Sequence, residues 1–200
     1  MKLLKYYIIF IIGLIFFGIG ISFGIKSGFG NNPMGVFVTG ISLHVALSVG
    51  TCNMLTGVVE TIIGYILDKK NVTFATLLVV FCGSYSIDLG NLLIPDTTLL
   101  PIKIIYMLLG IVFYCLGFSI QQYAGCGLGN YDCFIFGIGK LIHSDNYAKI
   151  RLVCDFFFIV GGYLLGGIVG IGTLILVLFS GKLIVLFKKK IFAIAKIENN

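Results

Sequence analysis

Charged side chains are scarce in this chain. Only 11% of its 200 residues are Asp, Glu, Lys or Arg, whereas 58% are hydrophobic and the mean hydropathy is +1.09. A water-soluble chain carries about a quarter charged residues. This composition therefore excludes a soluble globular domain and predicts an integral membrane protein, whose first expected partner is the lipid bilayer.

Motifs of catalysis and of metal binding are also lacking. The six cysteines show no CxxC spacing and form no cluster with the two histidines, so neither a disulfide framework nor a zinc site is indicated. The chain contains no P-loop, no HExxH motif and no nucleophile–base pair. We therefore expect no enzyme activity and no cofactor.

The net charge of +6 does not indicate a nucleic-acid partner, because the basic residues lie at the ends of apolar segments. Lys188, Lys189 and Lys190 directly follow an apolar run, which is the usual pattern of a cytoplasmic anchor. The N-terminal apolar run, residues 4–25, is too long for a cleaved signal peptide, and no A-x-A-like site follows it. It is predicted to be the first span.

Polar breaks divide the chain into apolar segments of two lengths. The longer ones reach the length of about 20 residues that a helix needs to cross a membrane, and they are residues 4–25, 49–67, 72–94, 102–123, 147–165 and 168–187. The shorter ones, 34–45 and 131–142, each follow a glycine-rich break. They are too short for a hydrocarbon core of about 30 Å, so we predict two re-entrant half-helices.

A shift of 97 residues aligns the two halves of the chain without a gap. Matches of glycine, serine and threonine at one constant offset arise by chance less easily than matches of Leu or Ile. They include Gly20/Gly117, Ser22/Ser119, Gly28/Gly125, Gly30/Gly127 and Thr76/Thr173. The sequence therefore predicts two repeats, residues 1–97 and 98–200, the second ending in a short basic tail.

Three full spans in each repeat, an odd number, would make the repeats inverted relative to each other. With a cytoplasmic N-terminus, most basic residues then fall on the inside, and only Lys26 and Lys103 lie near the outer face. If the short segments crossed as well, Lys69 and Lys70 would lie outside. The positive-inside rule therefore favours an all-α protein of six transmembrane helices, arranged as two inverted three-span repeats with both termini cytoplasmic.

Three glycine-rich blocks carry a resemblance to a known family. They are Gly28-Phe-Gly-Asn-Asn-Pro-Met-Gly35, Gly125-Cys-Gly-Leu-Gly-Asn-Tyr-Asp132 and Gly166-Gly-Ile-Val-Gly-Ile-Gly-Thr173. With them, nearly the whole chain resembles the YczE/YyaS/YitT group of bacterial membrane proteins, although Gly35 stands where an Asp is common in that group. The resemblance implies a multi-pass protein of the bacterial inner membrane. The group is largely uncharacterised, so it implies no substrate.

The two breaks together predict one site. Non-helical backbone at membrane depth must be buried in protein or line a wet cavity, and paired breaks in inverted halves indicate a midplane site. The half-helices would direct their N-terminal amides at that site. Its expected residues from the breaks are Gly30, Asn31, Asn32, Gly127, Gly129, Asn130 and Asp132. The alternative is that the glycines only allow close helix packing.

Charged residues inside the predicted spans complete the expected site. Glu60 and Asp155 lie near the middle of two spans, where a carboxylate costs at least about 2.5 kcal/mol and needs a partner, a proton or a water path. Arg151 lies one turn before Asp155, so a pair between them is expected. Glu60 has no obvious local partner, and Asp132 either caps its half-helix or binds a cation or proton.

These features favour a transporter or permease for a small solute or ion, with its site between the repeats. This hypothesis predicts a polar, water-reachable cavity lined by residues 28–35 and 127–132. Dry packing of the same loops would favour the alternative, a scaffold or accessory subunit without transport. In either case a second copy of the chain or another membrane protein remains an expected partner.

Overall fold

A computed structural model describes the backbone of residues 2–198 and the side chains of residues 3–193. All regular structure in this part of the chain is helical. A turn of 3₁₀ helix (Lys69–Asn71) extends the third helix, and a π-helical turn (Val79–Gly83) lies inside the fourth. The helices are α1 (Lys2–Ser27), α2 (Pro33–Ser42), α3 (Val49–Asp68), α4 (Phe74–Leu93), α5 (Leu100–Ala124), α6 (Asn130–Leu141), α7 (Tyr147–Leu164) and α8 (Ile171–Glu198).

Five of these helices, α1, α3, α4, α5 and α8, are long and apolar enough to cross a membrane. Large apolar side chains cover the outside of the bundle, and Leu92, for example, is 82% exposed. Contiguous apolar surface of this kind requires a lipid environment. The chain is therefore an all-helical, multi-span membrane protein.

The predicted fifth span, residues 147–165, forms the helix α7 but does not belong to that long apolar set. It carries Lys149, Arg151 and Asp155 within 18 residues. The six-span arrangement therefore stays a prediction.

The short helices begin where the glycine-rich breaks end. α2 starts at Pro33 rather than at residue 34, and proline suits the first position of a helix because its missing N–H needs no partner there. α6 starts at Asn130 rather than at residue 131. Both helices end a little earlier than predicted, α2 at Ser42 and α6 at Leu141.

The last helix, α8, begins at Ile171, three residues after the approximate start predicted for the last span. The preceding loop approaches the first break closely. A Cβ on Gly170 would lie 2.5 Å from Phe29 O, and Gly166 has a φ of 84°. The end is also later than predicted, since α8 continues to Glu198.

Close backbone packing joins α1 to α5 at the centre of the bundle. A Cβ added to Gly20 would overlap with Tyr114 N, and one added to Gly117 would overlap with Phe17 N. Small residues of this kind allow two membrane helices to approach backbone to backbone.

Several contacts recur at a shift of 97 residues. Ser22 Oγ donates to Ile87 O at 2.7 Å, and Ser119 Oγ donates to Ile184 O at 3.0 Å. In the same way α1 packs on α4 and α5 packs on α8, while α3 lies along α6 and α2 lies along α7. These contacts place the two glycine-rich breaks on either side of one interior space.

Candidate functional site

A cavity of about 820 Å³ lies in this interior space. The first break contributes Asn32 at its wall, followed by Pro33 and Met34 of α2. The second contributes every residue from Gly127 to Asp132, whereas residues 28–31 and Gly35 do not reach the cavity. Its volume lies in the range of about 300–1,000 Å³ that is usual for small-molecule sites.

Both short helices start at the cavity wall. Asn32 precedes α2 and Gly129 precedes α6, and neither gives its helix a side-chain cap. The first N–H groups of a helix have no partner within the helix and carry its partial positive charge. Both starts can therefore interact with a polar ligand or with water.

Gly30 and Gly127 shape the two breaks. Their φ values are 90° and 151°, in the region that favours glycine. A Cβ on Gly30 would overlap with Thr173 Oγ1, and one on Gly127 would overlap with Thr73 Oγ1. These two predicted site residues therefore position the breaks through their backbone, and of the two only Gly127 lines the cavity.

Glu60 contacts the second break from α3. Asn130 Nδ2 donates to Glu60 Oε2 at 2.6 Å, and Glu60 is only 2% exposed. Its other oxygen, Oε1, has no hydrogen-bond partner. Gly57 leaves room for this contact, since a Cβ there would lie 3.1 Å from Asn130 Nδ2. Asn130 lines the cavity whereas Glu60 does not, so Glu60 acts on the cavity through Asn130.

The predicted pair between Arg151 and Asp155 is wrong. Arg151 Nη1 donates instead to Asp132 Oδ1 at 2.9 Å, and Asp155 Oδ1 accepts from Tyr131 OH at 2.6 Å. The guanidinium carbon of Arg151 also lies 5.2 Å from the centre of the Tyr131 ring. An ion pair between two residues of one helix stabilises the helix by only about 0.2–0.5 kcal/mol. The combined contacts of Arg151 and Asp155 with the first turn of α6 outweigh this gain.

The two asparagines of the first break have different surroundings. Asn31 Nδ2 donates to Ile21 O at 2.8 Å, while Asn31 Oδ1 accepts from Asn32 N at 2.8 Å. Asn31 thus ties the break to α1 and does not line the cavity. Asn32 does line it, is 7% exposed, and has no partner for Oδ1.

Sequence reasoning missed the aromatic wall of the cavity. Phe17 lies 5.1 Å from Tyr114 and 6.0 Å from Phe118, measured between ring centres, and all three rings line the cavity. Phe17 and Tyr114 occupy matched positions of the two halves, which is the signal that could have indicated them. Within the residues that the structure describes, no three His, Cys, Asp or Glu side chains are grouped to hold a metal ion.

Long apolar helices around a cavity with some polar and charged lining residues define a multi-pass membrane protein with an internal cavity of solute size. Residues 4–189 match the family of unknown function DUF6198, and the chain belongs to that family. This agrees with the predicted likeness to YyaS. The YczE and YitT names stay predictions.

Two uncharacterised bacterial proteins are similar to this chain. The protein YyaS of Bacillus subtilis (strain 168) is 28% identical over 187 residues, which cover 90% of this chain and 91% of YyaS. An uncharacterised protein of Haemophilus influenzae (strain KW20 / Rd) is 28% identical over 182 residues, 90% of this chain and 81% of its own length. No solved structure matches the chain.

Proposed function

We propose that the protein is a transporter or permease for a small solute or ion in the bacterial inner membrane. The observation that carries this proposal is the cavity of about 820 Å³, which holds polar and charged side chains inside a bundle with an apolar exterior. Buried charge is expensive in a membrane protein and usually marks a substrate or ion pathway. A scaffold would have no need of such a cavity.

The proposed architecture is six spans in two inverted repeats, with α2 and α6 as re-entrant half-helices and both termini cytoplasmic. The contacts of Ser22 and Ser119 with carbonyls of α4 and α8, repeated at 97 residues, support it. So does the start of both short helices at one cavity. Inverted repeats with broken helices at the interface are the usual frame of alternating access.

An asymmetry between the repeats indicates how this access would alternate. Asp88 of α4 accepts from Ser48 Oγ at 2.5 Å and from Gly50 N at 2.8 Å, at the start of α3. Asn53 Nδ2 of α3 donates to Ser84 Oγ of α4 at 2.8 Å. Together these bonds form a latch that holds α3 against α4.

The matching helices α7 and α8 have no such latch among the described side chains. The residues that correspond to Asn53, Ser84 and Asp88 are Ile150, Gly181 and Val185, whose side chains cannot form these hydrogen bonds. Gly181 and Val185 line the cavity, and a Cβ on Gly181 would meet no atom within 4 Å.

We infer that this conformer is open between α7 and α8 and closed between α3 and α4. Lys188 lies at the opening, which the positive-inside rule assigns to the cytoplasm. In the opposite state α8 would close on α7 and the Asp88 latch would open.

Uptake by proteoliposomes tests the proposal. Vesicles containing the purified protein are incubated with the small-molecule fraction of a bacterial extract, and mass spectrometry identifies the solutes that enter. We expect Gly181→Trp to fill the cavity and stop uptake, since the site has room for a side chain. Leu92→Trp, on the lipid-facing surface, is the matched control and should retain uptake.

Equal uptake by the Gly181→Trp and wild-type proteins would show that the cavity is not the route. No uptake of any solute by the wild-type protein would favour the scaffold alternative.

A further inference from the structure

The formal charges at the second break do not balance. Glu60, Asp132 and Asp155 supply three carboxyl groups, whereas Arg151 supplies one cation, which is paired with Asp132. The starts of α2 and α6 add roughly half a positive charge each, and of the two carboxyl groups without a cationic partner among the described side chains only Asp155 lines the cavity. Lys188 bonds Gln122 Oε1 at 3.4 Å at the exposed opening, where water and salt screen its charge.

The unpartnered atoms at the cavity wall and behind Asn130 are both oxygens. Asn32 is only 7% exposed, and its Oδ1 lacks a hydrogen-bond partner. Glu60 Oε1 lacks one as well. Asn130 donates one N–H to Glu60 and keeps its Oδ1 and a second N–H for other partners. A buried acceptor without a donor costs about 1–3 kcal/mol, so the missing partner is a donor or a cation.

The aromatic wall of the cavity suits an organic cation rather than a bare ion. Phe17, Tyr114 and Phe118 form a ring cluster with centroid distances of 5.1–6.2 Å. A cation over an aromatic face gains about 0.5–2 kcal/mol, and Arg151 already lies over Tyr131 in this way. The volume of about 820 Å³ also far exceeds the space of one ion.

We propose that the cavity binds a small organic cation, an amine or quaternary ammonium compound. Its charge lies against Asp155, which lines the cavity and has no cationic partner among the described side chains. The apolar part lies on the rings of Phe17, Tyr114 and Phe118. This inference deepens the proposed function, since it names the substrate class of the same cavity.

Calorimetric titration of the purified protein tests the ligand class. The cations are tetramethylammonium, tetraethylammonium, choline and benzyltrimethylammonium. The uncharged isostere of choline, 3,3-dimethylbutan-1-ol, and the anion benzoate are the comparisons. We expect at least one cation to bind, and choline or its larger analogues to bind at least about tenfold more tightly than the neutral isostere, which corresponds to about 1.4 kcal/mol.

Asp155→Asn should weaken the binding of the cation about tenfold or more. The variant retains an oxygen that accepts from Tyr131 OH, so the local structure is preserved. Asp96→Asn makes the same chemical change on a side chain that is 88% exposed and outside the cavity, and it should bind as the wild-type protein does. The proposal fails if no cation binds, if the isostere or benzoate binds equally well, or if Asp155→Asn has no effect.

The binding assay and the uptake assay can fail separately. Cation binding without uptake of any solute would leave the cation site standing and refute transport. Uptake of a neutral or anionic solute, with no cation bound, would refute the cation site and leave transport standing.

Discussion

The two glycine-rich breaks have the same framework and different chemistry. In each, a positive-φ glycine, Gly30 or Gly127, packs against a threonine at the start of a helix that is distant in the chain. In each, a short helix then begins at the cavity. The first position of that helix differs, because Pro33 has no polar side chain where Asn130 bonds Glu60.

Every polar pair at the second break has a counterpart without charge at the first. A shift of 97 residues relates Glu60–Asn130 to Phe157–Pro33, Arg151–Asp132 to Met54–Gly35, and Asp155–Tyr131 to Val58–Met34. The framework contacts are thus duplicated while the charged groups are not. The duplicated framework contacts can thus bring the starts of two helices to one cavity, while only the second break supplies the charged groups that bind a ligand.

The largest loss of stability is expected at Gly30 and Gly127, the positions at which the two breaks are alike. Gly30→Ala and Gly127→Ala each place a Cβ onto a threonine oxygen at a positive φ. Strain and overlap together should lower the free energy of unfolding by about 2–4 kcal/mol. Thermal unfolding and size-exclusion profiles in detergent measure the loss, and Gly181→Ala, in open space, is the control. A clear loss in only one of the two variants would contradict a shared framework.

The second-largest loss of stability should differ between the two breaks. Asn130→Ala leaves both oxygens of the buried Glu60 without a donor, which should cost about 2–3 kcal/mol. Pro33→Ala, at the matched position, removes only a conformational restriction worth about 0.4–1 kcal/mol. Chemical unfolding of both variants in the same detergent compares them. Equal losses would show that the Glu60 contact does not stabilise the second break.

A double-mutant cycle distinguishes the observed ion pair from the one that the sequence predicts. Arg151 is 40% exposed, so its coupling with Asp132 should be modest, about 0.5–1 kcal/mol. Arg151→Gln and Asp132→Asn, singly and together, give this value from thermal unfolding. The same cycle with Asp155→Asn should give a coupling closer to zero. A larger coupling with Asp155 would overturn the assignment of the pair.

The sequence predicts those parts of the molecule that depend on local pattern. Apolar length indicates the helices, and the starts of α2 and α6 are predicted to within one residue because Pro33 and Asn130 follow glycine-rich breaks. Local sequence pattern does not show which side chains form hydrogen bonds or ion pairs with each other. Glu60 meets Asn130 across 70 residues, and Arg151 prefers Asp132 on another helix to Asp155 one turn away.

Local sequence pattern also fails to predict contacts between loops. The delayed start of α8 at Ile171 follows from the approach of Gly170 to Phe29, which no periodicity in residues 166–172 reveals. The aromatic wall depends in the same way on how α1 meets α5. Hydrophobic periodicity cannot show whether such a ring faces a cavity, another helix or lipid.

The smallest effect on stability is expected at the Asp88 latch, which joins α3 to α4 and has no counterpart between α7 and α8 in the described part of the chain. Asp88→Asn keeps one acceptor and loses the second, so the free energy of unfolding should fall by less than about 1 kcal/mol. The opening of α3 from α4 should become more frequent. Val80→Cys, on α4, replaces a side chain that is 2% exposed and lies against Gly57 of α3, and it should then react several-fold faster with a maleimide in a variant without the six native cysteines.

Asp145→Asn is the matched control, because Asp145 corresponds to Ser48 and lies where no latch joins α7 to α8 in the described part of the chain. It should leave the labelling rate of the Val80→Cys protein unchanged. A membrane-impermeant maleimide added to right-side-out vesicles also reports which face opens. Faster labelling from the outside would support a latch on the outer face, since the rate follows the population of the open state. Labelling that is unchanged in Asp88→Asn would contradict the difference in closure between the two halves.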